Sequence, residues 1–207
     1  MNKAQENFTK VYTEFTWGKQ DDEFMSGRNN KKFYSGGGAN HENDKNDMYK
    51  NLLQSYVDKE DVKTVVEIGC GDWEVSSRID WSSVYYIGYD VVQMIVDYNN
   101  ENFSSDNIKF ICDDIIQKNT IKADLLIVKD VFQHLPPSYC SEFIKSITKN
   151  FKYNLITNDC GMNSEIEVGG YQGNNFSESP FSMNYSTLIN WSQKFPDAGH
   201  KQTVSFI

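Results

Sequence analysis

The 207-residue sequence calls for one α/β domain on a doubly wound, mostly parallel sheet, and three features carry that expectation. From residue 48 onward, short β-branched or aromatic runs alternate with helical patterns, the spacing of strand–helix–strand units. The segment ADLLIVKD at 123–130 holds an unbroken apolar run, LLIV, which suits a strand covered on both faces. After residue 158 the alternation stops, and the closing segments flank Pro196-Asp197-Ala198-Gly199. That turn signal predicts a C-terminal antiparallel hairpin, which brings a Rossmann-like sheet to seven strands.

Each element has its own justification. Residues 1–47 are polar and rich in Gly and Asn, and are expected to form an N-terminal lid or flexible segment. Within them Phe8, Tyr12, Phe15 and Trp17 share one side of a short helix near residues 8–15. The domain proper is placed at 48–207. Met48, Leu52, Leu53 and Tyr56 recur at helical spacing, TVVEIG is a first strand, EVSSRID a short helix and VYYIGYD a second strand. VVQMIVDYNNEN reads as a helix, IKFICDD as a third strand, and ADLLIVKD as the fourth. SYCSEFIKSITKNF places Tyr139, Phe143 and Ile147 on one helix side, and YNLITND is a fifth strand. STLINWS is the first arm of the hairpin or a short helix, and KQTVSFI is its second arm.

Composition narrows the function. Twenty Lys and Arg against 29 Asp and Glu leave a net charge of −9, which disfavours a phosphate-tracking nucleic-acid surface. No apolar run is long enough for a membrane span and MNKAQENFTKVY has no apolar core, so a cytoplasmic protein is expected. Cys70, Cys112, Cys140 and Cys160 lie far apart, unlike metal knuckles or a disulfide framework, and are expected to be free thiols.

In an open α/β sheet, ligands bind beyond the carboxyl ends of the strands. There the chain carries Asp72 and Trp73, Asp90, Asp113 and Asp114, Lys129 and Asp130, and Asn158 and Asp159. An acid at every strand end repels a pyrophosphate and favours a cation or a ligand rich in hydroxyl and amino donors. The first loop, EIGCGDWE, has Gly69 and Gly71 but Glu74 where a dinucleotide loop wants glycine. Asp90 follows Glu67 by 23 positions, where a carboxylate can accept from ribose hydroxyls. An acid at a helix start is the plainer reading of Asp90, Asp113 and Asp114.

Together, EIGCGDW, YIGYD, FICDDI and ADLLIVKDVFQHLP resemble, in order, the motifs of the class I S-adenosylmethionine-dependent methyltransferases. CGDW, QHLP and the later Gly169-Gly170-Tyr171 resemble a subgroup of them. The resemblance spans about residues 48–207, with an echo in SGGGA at 35–39. It implies S-adenosylmethionine as cofactor, held by Glu67, Gly69, Cys70, Gly71, Asp72, Trp73, Asp90, Val91, Asp113, Asp114, Lys129 and Asp130. Gly69 and Gly71 would admit the methionyl part and ribose, and Glu67 would act on the ammonium end through water or the loop backbone. Trp73 would wall the methionyl arm or fill the core. Lys129, Asp130, His134, Asp159 and Tyr171 are the candidate catalytic or acceptor residues. His134 is suited to proton removal, although a structural role comes first for it. Asn158 and Gly170 join the acceptor set, and Arg28 is available for the cofactor carboxylate. The acceptor expected is a small or glycan-like molecule, methylated at a hydroxyl. A binding module without catalysis is the alternative, and a nicotinamide oxidoreductase a distant third.

Overall fold

The computed structural model describes residues 2–16, 33, 35, 44–118, 121–192 and 200–207. Trp17, Arg28, residues 36–39 of SGGGA and the Pro196–Gly199 turn lie outside the described residues. Seven strands form one sheet in the order β3-β2-β1-β4-β5-β7-β6. They are β1 (Thr64–Ile68), β2 (Tyr85–Asp90), β3 (Ile108–Cys112), β4 (Ala123–Lys129), β5 (Phe151–Asp159), β6 (Tyr185–Ser192) and β7 (His200–Phe206). The first five are mutually parallel, and β7 runs antiparallel to both β5 and β6. The expected fold class is the one observed. The segment with two readings, STLINWS, is strand, with a register shift between Thr187 and Ile189.

Helices α1 (Lys3–Thr13), α2 (Asp44–Val57), α3 (Gln93–Phe103), α4 (Ile115–Lys118) and α5 (Pro137–Asn150) complete the fold. Side chains of β4 alternate between two cores although residues 125–128 are apolar without a break. Leu126 and Val128 join Phe143 and Ile147 of α5 on one face. Leu125 and Ile127 join Leu53 and Val57 of α2 on the other. Burying both faces of a central strand removes each side chain from water, about 1.5–3 kcal/mol apiece, and sets the register that aims the strand ends.

Three local expectations need correction. EVSSRID forms only a single 3-10 turn over Ser76–Arg78. On α2 the buried stripe is Tyr49, Leu53 and Val57, with Met48 exposed, because the helix starts at Asp44 and its core face is set by i, i+4, i+8. α1 begins at Lys3, earlier than its aromatic residues suggest, since Asn2 and Gln5 form a reciprocal capping box. Phe15 is consequently past the helix end and exposed.

The chain winds outward from β1 through β2 to β3, then crosses back to β4 on the other side of β1. The crevice between the carboxyl ends of β1 and β4 is therefore the topological switch point.

Candidate active site

A cavity of about 630 Å³ opens at this crevice, within the size range of small-molecule and cofactor sites. All the residues expected to hold a cofactor or do chemistry, from Glu67 to Tyr171, line it. Asn158 does not line it: its side chain is buried and its amide donates to the Asp159 carbonyl at 3.0 Å.

The first loop is shaped by backbone that only glycine adopts easily. Gly69 and Gly71 have φ of +67° and +52°. A Cβ on Gly69 would stand 2.4 Å from Val131 Cγ2, and one on Gly71 would stand 2.3 Å from Ser35 Oγ. The loop is pinned from both sides. Gly71 N–H donates to Asp90 Oδ2 at 3.0 Å and Asn99 Nδ2 donates to the Gly71 carbonyl at 2.7 Å. Ser35, first residue of the SGGGA stretch, accepts from Asp72 N–H at 2.7 Å and bonds the Tyr12 hydroxyl at 2.8 Å. Trp73 also has a positive φ, +57°, rare for a bulky residue and a mark of a constrained site. Its indole packs among Tyr86, Phe103 and Phe110 with centroids 5.1–5.6 Å away. Trp73 Nε1 donates to Tyr86 Oη at 2.8 Å, and that hydroxyl donates to Glu67 Oε2 at 2.5 Å. The ring fills the core, while its N–H ends a relay to the cavity wall.

The acids at the strand ends divide by their partners. Burial pushes the Glu67 carboxyl up to about 7, against the pull of Tyr86, Ser76 and Lys129. Burial likewise raises Asp90 to about 6, although the backbone N–H groups of Val92 and Gly71 both favour its charged form. Asp113 pairs with Lys118 at 2.5 Å. Asp114 accepts from the Tyr139 hydroxyl and from Asn2 Nδ2 at 3.0 Å.

Across the crevice, β4, β5 and β7 bring a charged cluster together. Asp130 has φ of +59°, so the chain turns sharply and its carboxylate meets two lysines. Lys129 Nζ lies 2.5 Å from Oδ2, and Lys201 Nζ lies 2.5 Å from Oδ1. Burial would raise Asp130, but Lys129 and Lys201 outweigh it and hold the carboxyl well below the usual carboxylate range. Lys201 also reaches Asp159 Oδ2 at 3.7 Å, and the Tyr171 hydroxyl donates to that oxygen at 3.0 Å. Burial alone would lower Lys201, yet Asp130 and Asp159 raise it. His134 Nδ1 is 2.8 Å from the Gly170 carbonyl. A carbonyl only accepts, so Nδ1 carries the proton and Nε2 accepts, with the Gln133 side-chain amide as donor at 3.5 Å. Burial lowers the His134 pKa.

No family model matches the sequence, and no curated protein matches it. Solved structures do. Magnesium protoporphyrin IX methyltransferase from Synechocystis PCC 6803, with bound S-adenosylhomocysteine, aligns with a TM-score of 0.56 at 14% identity, over 78% of this chain and 81% of that one. An S-adenosylmethionine-dependent methyltransferase from Leishmania major aligns with a TM-score of 0.60 at 10% identity, over 79% of this chain and 71% of that one. An N-methyltransferase from Bradyrhizobium japonicum WM9 gives 0.55 at 14%, over 78% and 96%. This chain has the class I methyltransferase fold.

On that methyltransferase fold, several residues at the site escaped the sequence reading. Lys201 lies in KQTVSFI, where it looks like a solvent-facing strand lysine, yet it pairs directly with Asp159 across the sheet and is buried. Gln133 accepts from Asp159 N–H at 3.1 Å and lines the cavity. Tyr86 is the middle of the Glu67 relay. α1 lays Ala4, Phe8 and Tyr12 along the cavity, and Thr16 joins them from just past its end. Its four-residue periodicity was the available signal, but only the aromatic members were conspicuous.

Proposed function

We propose that the protein is an S-adenosylmethionine-dependent methyltransferase that acts on a hydroxyl of a small or glycan-like acceptor. The observation that carries this reading is the acid-walled cavity at the switch point of a methyltransferase fold. The residues suit the cofactor. Glu67 offers a carboxyl to an ammonium, Asp90 offers its remaining lone pairs to ribose hydroxyls, and Gly69 and Gly71 leave room for close approach. Val91 and Ile115 add apolar wall beside Asp113 and Asp114. Bound there, S-adenosylmethionine supplies a methyl group on a sulfonium, open to direct displacement.

The chain's own part is alignment and proton handling. Asp130 is fixed by Lys129 and Lys201, so the wall facing the acceptor is rigid and nearly charge-balanced. A neutral hydroxyl compound fits that wall better than a strongly charged one. His134, neutral near pH 7, takes the hydroxyl proton on Nε2 when the acceptor displaces the long 3.5 Å contact from Gln133 Nε2. Asp159 and Tyr171 orient the acceptor beside it.

Thermal shift and calorimetry test the cofactor assignment. S-adenosylhomocysteine should bind and stabilise the protein while NAD does not, and Asp90→Ala should weaken that binding more than tenfold. A response to NAD alone would reinstate the oxidoreductase reading. Labelled methyl transfer to extract fractions then separates an enzyme from a binding module, which would bind and transfer nothing.

A further inference from the structure

Glu67 is a buried carboxyl in the cavity wall that makes no salt bridge among the described residues. Its Oε2 accepts from the Tyr86 hydroxyl at 2.5 Å, and Ser76 is a second neutral hydrogen-bond partner. From the first loop Cys70 faces it, from α2 Tyr49, and from the end of β2 the like-charged Asp90. Among the described residues the cation that acts on it is Lys129 of β4, and that ammonium is engaged by Asp130 at 2.5 Å. A buried carboxylate whose hydrogen-bond donors are neutral, and whose nearby cation is spent on another acid, is costly in its charged form. We propose that Glu67 is protonated in the ligand-free protein and gives up its proton when an α-ammonium enters, so that the site selects amino-acid-bearing nucleosides over plain ones, more strongly as pH rises.

The inference rests on the cofactor reading above and adds proton linkage to it. The step balances simply. The O–H bond of the Glu67 carboxyl breaks and the proton passes to the buffer. The ligand's ammonium keeps its protons and donates a charge-assisted hydrogen bond to the carboxylate. Burial pushing Glu67 up to about 7 agrees with the geometry and sets the window. Binding of an ammonium ligand should strengthen as pH rises toward 7 and level off above it.

Two probes decide the matter on the unaltered protein. S-adenosylhomocysteine carries the ammonium arm, and 5′-methylthioadenosine is a matching nucleoside without it. Both meet the Asp90 region, so titration of Asp90 affects them alike. Calorimetry at pH 5.5, 6.25 and 7 in buffers of different ionisation enthalpy should show that S-adenosylhomocysteine releases more protons than 5′-methylthioadenosine, the excess being close to one proton at pH 5.5 and falling to about half a proton at pH 7. Its affinity advantage should grow severalfold, at most tenfold, per pH unit. Glu67→Gln should remove that growth. Equal proton release and parallel pH profiles for the two ligands would overturn the proposal while leaving the cofactor assignment standing. A Glu67→Gln protein that binds with the wild-type slope would overturn it too. Failure of both ligands to bind at any pH would overturn the cofactor assignment and this inference with it.

Discussion

Lys201 stands directly opposite Asp159 across the β5–β7 pair and carries the charge that lets two carboxylates share one wall. Its side chain is 8% exposed and lies within 4 Å of both Asp130 and Asp159. Removing one partner from a buried ion cluster typically costs about 3–5 kcal/mol, because the remaining charge is left unpaired. Lys201→Met should therefore lower the unfolding free energy by about that much in urea at pH 7. Lys201→Arg, which keeps the charge, should lose clearly less. A Lys201→Met protein as stable as the parent would mean that Lys129 alone holds Asp130. Sequence reasoning reached Asp130 and Asp159 because each ends a recognisable strand. It could not reach Lys201, whose burial follows from which strand lies beside β5, a tertiary fact that no local pattern encodes.

At the scale of elements, the parallel strands and α5 were legible because burial on one or both faces leaves a period in the sequence. The short pieces were not. Ser76–Arg78 and α4 are too brief to show a period, and their form is set by the loops they close. α1 is the intermediate case. Its aromatic residues announced a helix, but its start depends on the Asn2–Gln5 capping box and its placement on distant partners. Asn2 bonds Asp114 at 3.0 Å, Asn7 Nδ2 donates to the Val168 carbonyl at 2.7 Å, and Tyr12 bonds Ser35 at 2.8 Å. These ties join α1 to the loops after β3 and β5 and, through Ser35, which accepts from Asp72 N–H at 2.7 Å, to the loop after β1, three sides of the same cavity. Two consequences can be read by hydrogen exchange. Asn2→Ala loses a cap worth about 1 kcal/mol, so α1 amides should exchange about fivefold faster while β4 is unchanged. Saturating S-adenosylhomocysteine should slow α1 exchange in the parent protein. Acceleration in β4 as well would show that α1 and the sheet open as one unit.

For the whole molecule, the site leaves a signature in stability against pH. Glu67 titrates near 7 in the folded protein against an ordinary 4.5, so the fold favours its protonated form. That contribution is full below about pH 4.5 and is lost as pH climbs through about 7, a change of about 3 kcal/mol at 1.36 kcal/mol per unit. Asp90, raised from 3.8 to about 6, acts in the same direction. His134 acts oppositely, since burial lowers it and its contribution is lost as pH falls below the ordinary histidine range. The favourable ion pairing of Asp130 is lost only in stronger acid, as pH falls below the ordinary range of its carboxyl. Total stability mixes these trends, but the difference between the parent and Glu67→Gln isolates one of them. Urea unfolding at pH 5, 6 and 7.5 should show Glu67→Gln gaining on the parent as pH rises, by about 2–3 kcal/mol across the range. With saturating S-adenosylhomocysteine the gain should shrink or reverse, because the ligand's ammonium then stabilises the charged parent carboxylate and has no such partner in the variant. A difference that stays flat with pH would mean that the fold tolerates Glu67 ionised without a ligand, and that the acid-walled cavity is solvated well enough to need no cation.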